Sequence, residues 1–431
     1  MASIEKRGDT YRIKVFIGYD SHGKKITRSA TFKPERTTAT GKPKAESVIQ
    51  KELTAFAAEF ERKAKAGELL SGDNMRLDEL IPQYLEQYAF MELSQATAEG
   101  YREILDKCII PEFGHIKLCD LSRQQLSLQA YFNGLTKSGL APSTVRRRMA
   151  VLSSVLSWAV NMRLMQQNPL SHVRPPKEQR KQDKAKSFTP EELKRFIAAL
   201  ELPQVATYKA HKCARANGSI YSVQEYKETR YLSEQFKFFF ILAAFSGCRR
   251  GELIALDWPD IDFKRCTISI TKSVTKIKGG VAIKDTKTAS GNRIINMPPS
   301  VMAIASKWRI QQNELRLSLG SAWKGVNNVF SQAEGGRMHP DTVTRKFRDI
   351  IQNYNAQADE ADRLPEISLH GLRHTAASIL IGQHTDIATV SKRLGHSRTS
   401  VTLDIYTHAI KEADKAAAEA LDALARSAGI G

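Results

Sequence analysis

The chain has 431 residues, 42% of them hydrophobic, which is enough for two or three domains with their own cores. Its 65 Lys and Arg residues outnumber 46 Asp and Glu residues, and the net charge of +19 favours nucleic acid as a partner over a surface that is basic only for solubility. Five cysteines without a Cys-x-x-Cys pair argue against zinc and disulfides, and no stretch reaches the roughly 18 apolar residues of a membrane span.

Residues 1–67 predict a small basic β-sheet module that ends in a helix over about 44–67. In its first strand, Arg12 and Lys14 alternate with apolar residues, which would share the opposite face: Tyr11, Ile13, Val15 and Ile17. The cationic strand face favours binding in a DNA groove, with Arg12 and Lys14 as candidate contacts. A cap that serves only solubility is the alternative.

Residues 74–174 predict an all-α domain. One apolar stripe starts at Leu77, a second helix begins near Thr97, and a third opens at Pro142. The third helix carries three consecutive arginines near its start: Arg146, Arg147 and Arg148. We expect one of them to pack its stem and the others to reach phosphates, with a solvated charged face as the alternative.

Residues 175–186 are rich in Pro and Lys and predict an extended linker. The domain that follows, 187–431, opens with a capping box in which Thr189 is the N-cap and Glu192 reaches back to it. Residues 208–231 mix basic and aromatic side chains in an irregular pattern, so that contact with nucleic acid and a surface insertion without a role both remain open.

The apolar run 236–245 predicts a buried helix, and β signals follow at 267–270, 281–283 and 294–297. This spacing would place Lys287 on a hairpin. The pattern is helical again from Ser300, and 416–425 predict a short Ala-rich helix that packs on its own domain or on a neighbouring protomer.

Six side chains in the last part of the chain form a set with complementary chemistry: Arg249, Lys287, His370, Arg373, His396 and Tyr406. Two guanidiniums suit the non-bridging oxygens of a phosphodiester, whose transition state gathers negative charge. A tyrosine can attack the phosphorus once its proton is removed, and a lysine can protonate the leaving 5′-oxygen. Each residue alone is more typical of a structural role, so the hypothesis depends on their convergence.

The motifs that carry these residues, in the order in which they occur, resemble those of the tyrosine recombinases, or phage-type integrases. They lie at 246–253 (Ser-Gly-Cys-Arg-Arg-Gly-Glu-Leu), 286–288 (Thr-Lys-Thr), 370–375 (His-Gly-Leu-Arg-His-Thr), 394–397 (Leu-Gly-His-Ser) and 406–409 (Tyr-Thr-His-Ala). The catalytic resemblance covers about residues 186–410. Ser246 stands where the family often has threonine, a change that keeps the hydroxyl.

The resemblance implies a role for each residue of the set. Arg249 and Arg373 would hold the scissile phosphate, and Lys287 would be the general acid. The other roles would be proton transfer at the nucleophile by His370, support of the phosphate by His396, and formation of a 3′-phosphotyrosine by Tyr406.

The resemblance also implies an α+β multidomain fold. It would consist of an arm-site-binding-like β-sheet domain (1–67), an all-α core-site-binding domain (74–174), a linker (175–186) and a mainly α catalytic domain with a small antiparallel sheet (187–431). The expected function is integration and excision of a mobile element's DNA, without cofactor or metal, by a homotetramer on double-stranded core and arm sites in the bacterial cytoplasm. An excisionase-type directionality factor is an expected partner, and no membrane is involved.

Three other functions remain as alternatives. A type IB topoisomerase-like enzyme shares this chemistry, but it needs neither an arm domain nor a multimer. A catalytically silent DNA-binding protein on the same scaffold would not need the six residues. A metal-dependent transposase would need an acidic triad, and none is evident beside the basic set.

Overall fold

The computed structural model describes residues 2–19, 23–37, 43–65, 75–177, 187–208, 210–214, 219–285, 291–400 and 402–403, with 418, 421–422 and 426–427 near the C-terminus. The chain divides into two compact units, Met1–Gln179 and Arg180–Gly431. The finer division of the first unit near residue 67 stays a prediction. Most of the predicted helix at 416–425 lies outside the described residues.

The chain begins with a three-stranded antiparallel sheet, ordered β1 (Ser3–Arg7), β2 (Thr10–Tyr19) and β3 (Lys25–Phe32), followed by helix α1 (Glu46–Lys65). Its small core joins the sheet to α1 through the side chains of Tyr11, Ile13, Leu53 and Ala57. The predicted alternation holds as far as Val15. Ile17 is 37% exposed, so its expected place on the buried face was wrong, because a register shift between Phe16 and Gly18 interrupts the strand.

The rest of the first unit is helical, as the sequence predicts. Its helices are α2 (Leu77–Tyr84), α3 (Phe90–Glu92), α4 (Gln95–Ile104), α5 (Ile110–Phe113), α6 (Leu118–Leu121), α7 (Gln125–Lys137) and α8 (Pro142–Asn161). Two π-helical segments, Leu85–Ala89 and Leu105–Ile109, join α2 to α3 and α4 to α5. Pro82 and Pro111 lie close to these segments, and a proline removes a backbone donor from the regular helical ladder.

The second unit combines seven helices among its described residues with several small sheets. The helices are α9 (Pro190–Ala199), α10 (Glu234–Ser246), α11 (Arg250–Ala255), α12 (Pro299–Leu319), α13 (Pro340–Asn355), α14 (Gly371–Gly382) and α15 (Ile387–Leu394). The capping box before α9 is confirmed, since the Glu192 backbone N–H donates to Thr189 Oγ1 and the Thr189 N–H donates to the Glu192 carboxylate. The mixed α and small-sheet architecture agrees with the predicted fold class.

The strands of the second unit pair in ways that the sequence only partly predicts. They are β4 (Gln204–Tyr208), β5 (His211–Ala214), β6 (Ile220–Val223), β7 (Tyr226–Arg230), β8 (Ile261–Asp262), β9 (Thr267–Ile270), β10 (Lys272–Ile277), β11 (Gly280–Asp285) and β12 (Arg293–Asn296). The prediction of an irregular segment at 208–231 was wrong, because β4 pairs with β7 and β5 with β6.

The strands that flank Lys287 in the sequence do not form the predicted hairpin. The strand before it, β11, pairs with β10, which the sequence did not predict, whereas β12 belongs to the separate sheet β12-β9-β8. The two strands that flank Lys287 in the sequence, β11 and β12, therefore belong to two different sheets. Lys287 itself lies outside the described residues.

Helix α10 lies at the centre of the hydrophobic core of the second unit and confirms the predicted buried helix. Its residues from Phe238 to Ala244 are all buried, and its aromatic rings pack on Phe196, Phe330 and Phe347 from other elements. Because α10 ends at Ser246, the first residue of the first motif of the set, this core fixes where that motif begins. No helix within the described part of the chain is long and apolar enough to cross a membrane.

Candidate active site

The turn after α10 brings the first arginine of the set to the surface. Gly247 has a left-handed backbone (φ 67°) that ends the helix, and a Cβ there would lie 2.8 Å from Leu394 Cδ2. Glycine is thus required both by the conformation and by the close approach of α15. Arg249 then takes the N-cap position of α11.

Arg249 is held in place by a buried carboxylate one helical turn away. Glu252 accepts hydrogen bonds from Arg249 Nη1 at 2.8 Å and from the Arg249 backbone N–H at 2.9 Å. Arg249 Nη2 also donates to the carbonyl oxygen of Gly395 at 3.3 Å. The Arg249 side chain remains 44% exposed while that of Glu252 is 3% exposed, so the guanidinium is anchored from below and open to a ligand.

Glu252 has a second cationic partner that the sequence analysis missed. Arg293, the first residue of β12, donates from Nη2 to Glu252 Oε2 at 2.7 Å, and its side chain is 4% exposed. Burial alone would raise the pKa of Glu252, but the hydrogen bonds and charges of Arg293 and Arg249 lower it on balance. Glu252 is therefore an ionised carboxylate between two guanidiniums.

The second arginine of the set, Arg373, approaches the same turn from α14. It is 2% exposed and donates from Nη1 to the carbonyl oxygen of Gly247 at 2.9 Å. His370 immediately precedes α14 at its N-cap, so the spacing of three residues places His370 at the exposed end of the helix and Arg373 one turn inside it.

Three imidazoles lie around the two arginines. The rings of His370 and His374 meet edge to face, with centroids 4.9 Å apart at 88°. Partial burial lowers the pKa of His370, and the charges of Arg373 and Arg249 lower it further by smaller amounts. Burial, with smaller effects of His370 and Arg373, lowers that of His374 to about 4. These rings are neutral near pH 7 and able to donate or accept a proton.

His396 follows α15 and completes the described part of the site. Its Nδ1 atom lies 2.8 Å from the hydroxyl of Thr402, which is fully buried. Burial lowers the pKa of His396 to about 4, and the charges of Arg373 and Arg249 act in the same direction, as expected if the ring lies near both guanidiniums. If the Thr402 hydroxyl donates to Nδ1, Nε2 carries the proton and is the free donor.

The structure thus brings together four of the six predicted residues: Arg249, His370, Arg373 and His396. The other two, Lys287 and Tyr406, lie outside the described residues, in 286–290 and 404–417. Thr402 stands four residues before Tyr406 in the sequence. Within the described residues, no group of three His, Cys, Asp or Glu side chains is arranged to hold a metal ion.

Of two supporting residues, Glu252 left a weak signal in the sequence and Thr402 left none. Glu252 lies three residues after Arg249, the spacing of a capping box, although the N-cap is an arginine instead of Ser or Thr. Thr402 had no distinguishing signal, because three other hydroxyl residues lie within the five positions before it: Ser397, Thr399 and Ser400.

The five basic residues proposed as DNA contacts all lie in the first unit. On β2, Arg12 is half-buried and Lys14 is exposed, with Lys14 Nζ 3.7 Å from a Glu5 carboxylate oxygen. Arg146 donates from Nε to the Pro176 carbonyl oxygen at 2.9 Å. The remaining two differ in exposure: Arg147 is exposed and Arg148 half-buried. Their contact with DNA stays a prediction.

The site and fold agree with known protein families. The profile described as "Phage integrase family" matches residues 219–413, and that described as "Phage integrase, N-terminal SAM-like domain" matches residues 77–136. These two ranges contain the four described members of the set, Lys287, Tyr406 and much of the helical region of the first unit.

Individual relatives extend this similarity. The ICEBs1 integrase of Bacillus subtilis is 28% identical over 292 residues, which are 67% of this chain and 68% of the relative. A tyrosine recombinase XerC-like protein of Caldanaerobacter subterraneus subsp. tengcongensis is 25% identical over 98% of both chains.

A solved structure shows the same fold. A fragment of the Tn1549 transposon integrase, in complex with transposon right end DNA, superposes with a TM-score of 0.59 at 20% identity and covers 81% of this chain and 100% of that fragment. The chain belongs to the phage integrase family and is a tyrosine-type site-specific recombinase.

Proposed function

We propose that the cluster of Arg249, Arg373, His370 and His396 binds a scissile DNA phosphate and that Tyr406 attacks it, with Lys287 as the general acid. One observation above all supports this. Residues separated by more than a hundred positions meet through backbone carbonyls, since Arg249 Nη2 contacts Gly395 and Arg373 Nη1 contacts Gly247. Neither contact uses the carboxylate chemistry of an ordinary surface ion pair.

The electrostatics of the cluster suit a dianionic transition state. Arg249 and Arg373 are fixed cations, and the planar fork of a guanidinium matches two non-bridging phosphate oxygens. Removing one such preorganised donor typically costs roughly 10²–10³ in rate. Burial, helped by the nearby positive charge, lowers the pKa of His370 and His396 and keeps both rings neutral before DNA binds, so that each can act by hydrogen bonding or proton transfer near pH 7.

The proposed reaction balances without a cofactor. The Tyr406 oxygen forms a bond to phosphorus as the bond from phosphorus to the 5′-oxygen breaks, and the tyrosine proton passes towards His370. Lys287 gives a proton to the departing 5′-oxygen. A 5′-hydroxyl of a partner strand then attacks the 3′-phosphotyrosine, which releases Tyr406 and restores a phosphodiester. Because the covalent intermediate keeps the bond energy, neither ATP nor a metal ion is required.

His396 has a defined part in this scheme. A hydrogen bond from the Thr402 hydroxyl to Nδ1 leaves the Nε2 proton free for a non-bridging phosphate oxygen. The same hydrogen bond ties Thr402, which is four residues before Tyr406 in the sequence, to the proposed phosphate site.

The biological role that we propose is integration and excision of a mobile element's DNA in the bacterial cytoplasm. Exchange between two duplexes involves four strand cleavages, so a homotetramer on DNA is the proposed active form. The sheet with Arg12 and Lys14 would bind arm sites, and the helical region with Arg146, Arg147 and Arg148 would bind core sites. An excisionase-type factor would set the direction.

The test is formation of a covalent adduct with duplexes that carry the ends of the element that encodes the chain. We expect the unmodified protein to form a denaturant-resistant adduct with the 3′-phosphate end of the cleaved DNA strand. Sequencing the junctions would give the cleavage positions. Tyr406→Phe should bind the same DNA without forming the adduct. An adduct formed by Tyr406→Phe, or none formed by the unmodified protein on any element end, would refute the proposal.

A further inference from the structure

Arg293 lies behind the proposed phosphate-binding cluster and contacts it through Glu252, but its buried side chain does not reach the surface of the site. Its Nε donates to the Arg393 carbonyl oxygen at 2.7 Å, and Nη1 donates to that of Gly291 at 3.1 Å. Nη2 donates to Glu252 and lies 3.5 Å from Cys248 Sγ. One buried guanidinium therefore joins β12 to the start of α11 and to the end of α15.

These contacts close a ring of hydrogen bonds around the active-site turn. Arg249 binds Glu252, Glu252 binds Arg293, and Arg293 binds the carbonyl of Arg393. Two residues further on, the Gly395 carbonyl accepts a hydrogen bond from Arg249 and so completes the ring. His396, the next residue, is thereby held at a fixed place relative to Arg249.

Charge gives Arg293 a second effect on Arg249. If Glu252 were paired with Arg249 alone, its carboxylate would cancel the charge of that guanidinium and draw it inward. With Arg293 on the other side, the three groups carry a net charge of +1. Because Arg293 is buried and Arg249 is partly exposed, that surplus charge faces the side open to a ligand.

Shape explains why the residue is an arginine. Its guanidinium directs three nitrogens to partners on three different segments, whereas a lysine has one nitrogen on a flexible stem. A lysine could neutralise Glu252, but it could not also hold the carbonyls of Gly291 and Arg393 with the same geometry. A lysine at position 293 would therefore keep the positive charge but would break the ring of hydrogen bonds.

We infer that Arg293 is a positioning residue for DNA cleavage. It holds Arg249 and His396 at fixed places relative to each other, and by pairing with Glu252 it keeps a net positive charge at Arg249. This inference rests on the proposed function, since it assigns Arg293 a part in building the proposed phosphate site. Arg293 touches no DNA. Its removal should therefore slow cleavage far more than it weakens DNA binding.

The principal test compares Arg293→Lys with a matched control, Arg337→Lys. Arg337 is also largely buried and donates to the Ile254 carbonyl oxygen at 2.9 Å and to Asp257 at 2.7 Å, but it has no contact with the ring. Single-turnover adduct formation, the DNA dissociation constant and thermal unfolding are measured for both variants. A positional error of about 1 Å can cost roughly 10²-fold, so we expect that loss of cleavage rate in Arg293→Lys.

The control and the substrate distinguish positioning from simple loss of stability. Arg337→Lys should cleave, and Arg293→Lys should bind DNA, within about threefold of the unmodified protein. On a methylphosphonate substrate, which lacks one charged non-bridging oxygen, the arginine site has less charge to stabilise. The rate ratio between the unmodified protein and Arg293→Lys should therefore shrink to about tenfold. A ratio that is the same on both substrates would indicate a purely structural role and overturn the inference.

Other outcomes are equally decisive. Cleavage by Arg293→Lys at the unmodified rate, or equal losses in Arg293→Lys and Arg337→Lys, would overturn the inference. Arg293→Gln, which keeps one donor but no charge, serves as the second variant and should be slower still. If neither Arg293 variant folds while Arg337→Lys does, Arg293 serves the fold and the inference fails. The absence of any adduct with the unmodified protein would instead refute the proposed function.

Discussion

Acid should destabilise the second unit through the neutral imidazoles beside its two active-site arginines, above all His374 and His396, whose pKa values are lowered most. His374 and His396 each have a pKa of about 4 in the folded protein, against an ordinary value of 6.5. The unfolded chain therefore takes up these two protons at a higher pH than the folded protein does. The contribution of these two histidines to the free energy of unfolding should be at its maximum above about pH 6.5 and should fall as the pH drops towards 4.

The size of the loss follows from the two pKa values. Between pH 6.5 and pH 5, each histidine would contribute at most about 2 kcal/mol, since one pH unit corresponds to about 1.4 kcal/mol. Both rings are only partly buried, so solvent screening reduces this figure, and we expect about 1 kcal/mol for each. Glu252 stays ionised at pH 5, because its pKa is lowered, and does not add to the loss.

Urea unfolding at pH 7 and pH 5 tests this expectation. Tryptophan fluorescence reports mainly the second unit, because three of the four tryptophans lie there: Trp258, Trp308 and Trp323. The unmodified protein should lose about 2 kcal/mol between the two pH values and His374→Gln about 1 kcal/mol. Equal losses in the two proteins would refute the assignment of His374. Bound DNA should reduce the loss, since a phosphate beside His396 favours its protonated form.

Three further predictions concern the reaction on DNA. Lys287→Ala should lower the cleavage rate by roughly 10²–10⁴ and recover on a substrate with sulfur at the 5′-bridging position, a better leaving group; equal defects on both substrates would contradict its role as the acid. Thr402→Val should cleave about tenfold more slowly than Thr402→Ser, which keeps the hydroxyl for His396, and equal rates would exclude that hydrogen bond from catalysis. DNA affinity should fall at least about tenfold between 50 and 200 mM salt, and a flat response would exclude phosphate contacts as its main source.

The sequence predicts the reactive residues better than it predicts what holds them. Arg249 and Arg373 stand in ordered motifs whose chemistry is apparent from residue type. Arg293 is as important to the geometry, but a single arginine in a short strand pattern has the appearance of a solvated side chain. Its partner Glu252 lies 41 positions away in the sequence, and nothing in the local pattern links the two.

Strand pairing shows the same limit. The pairing of β4 with β7 joins Gln204 to Arg230 across the whole segment that the sequence pattern classified as irregular. Both strands have only five residues and β7 is mostly polar, so the alternation of apolar and polar residues that identifies a strand is weak. β10 escaped notice for a related reason, because Lys272 and Lys276 interrupt its apolar residues. In contrast, the buried run of α10 and the capping box at Thr189 are local signals, and both were predicted correctly.

The helix that begins beside Arg249 has only six residues, α11 (Arg250–Ala255). A single isolated turn or two of helix is not stable in water, so this one exists because of its Glu252 cap and the packing of Leu253 and Ile254. Leu253 and Ile254 are fully buried in the core of the second unit, so the helix cannot open without exposing that core to water. Warming should therefore abolish DNA cleavage and unfold the second unit in one transition, and DNA that binds Arg249 should raise the temperature of both. The upper working temperature of the protein would be set by the melting of its hydrophobic core, because the short helix that begins beside Arg249 is part of it.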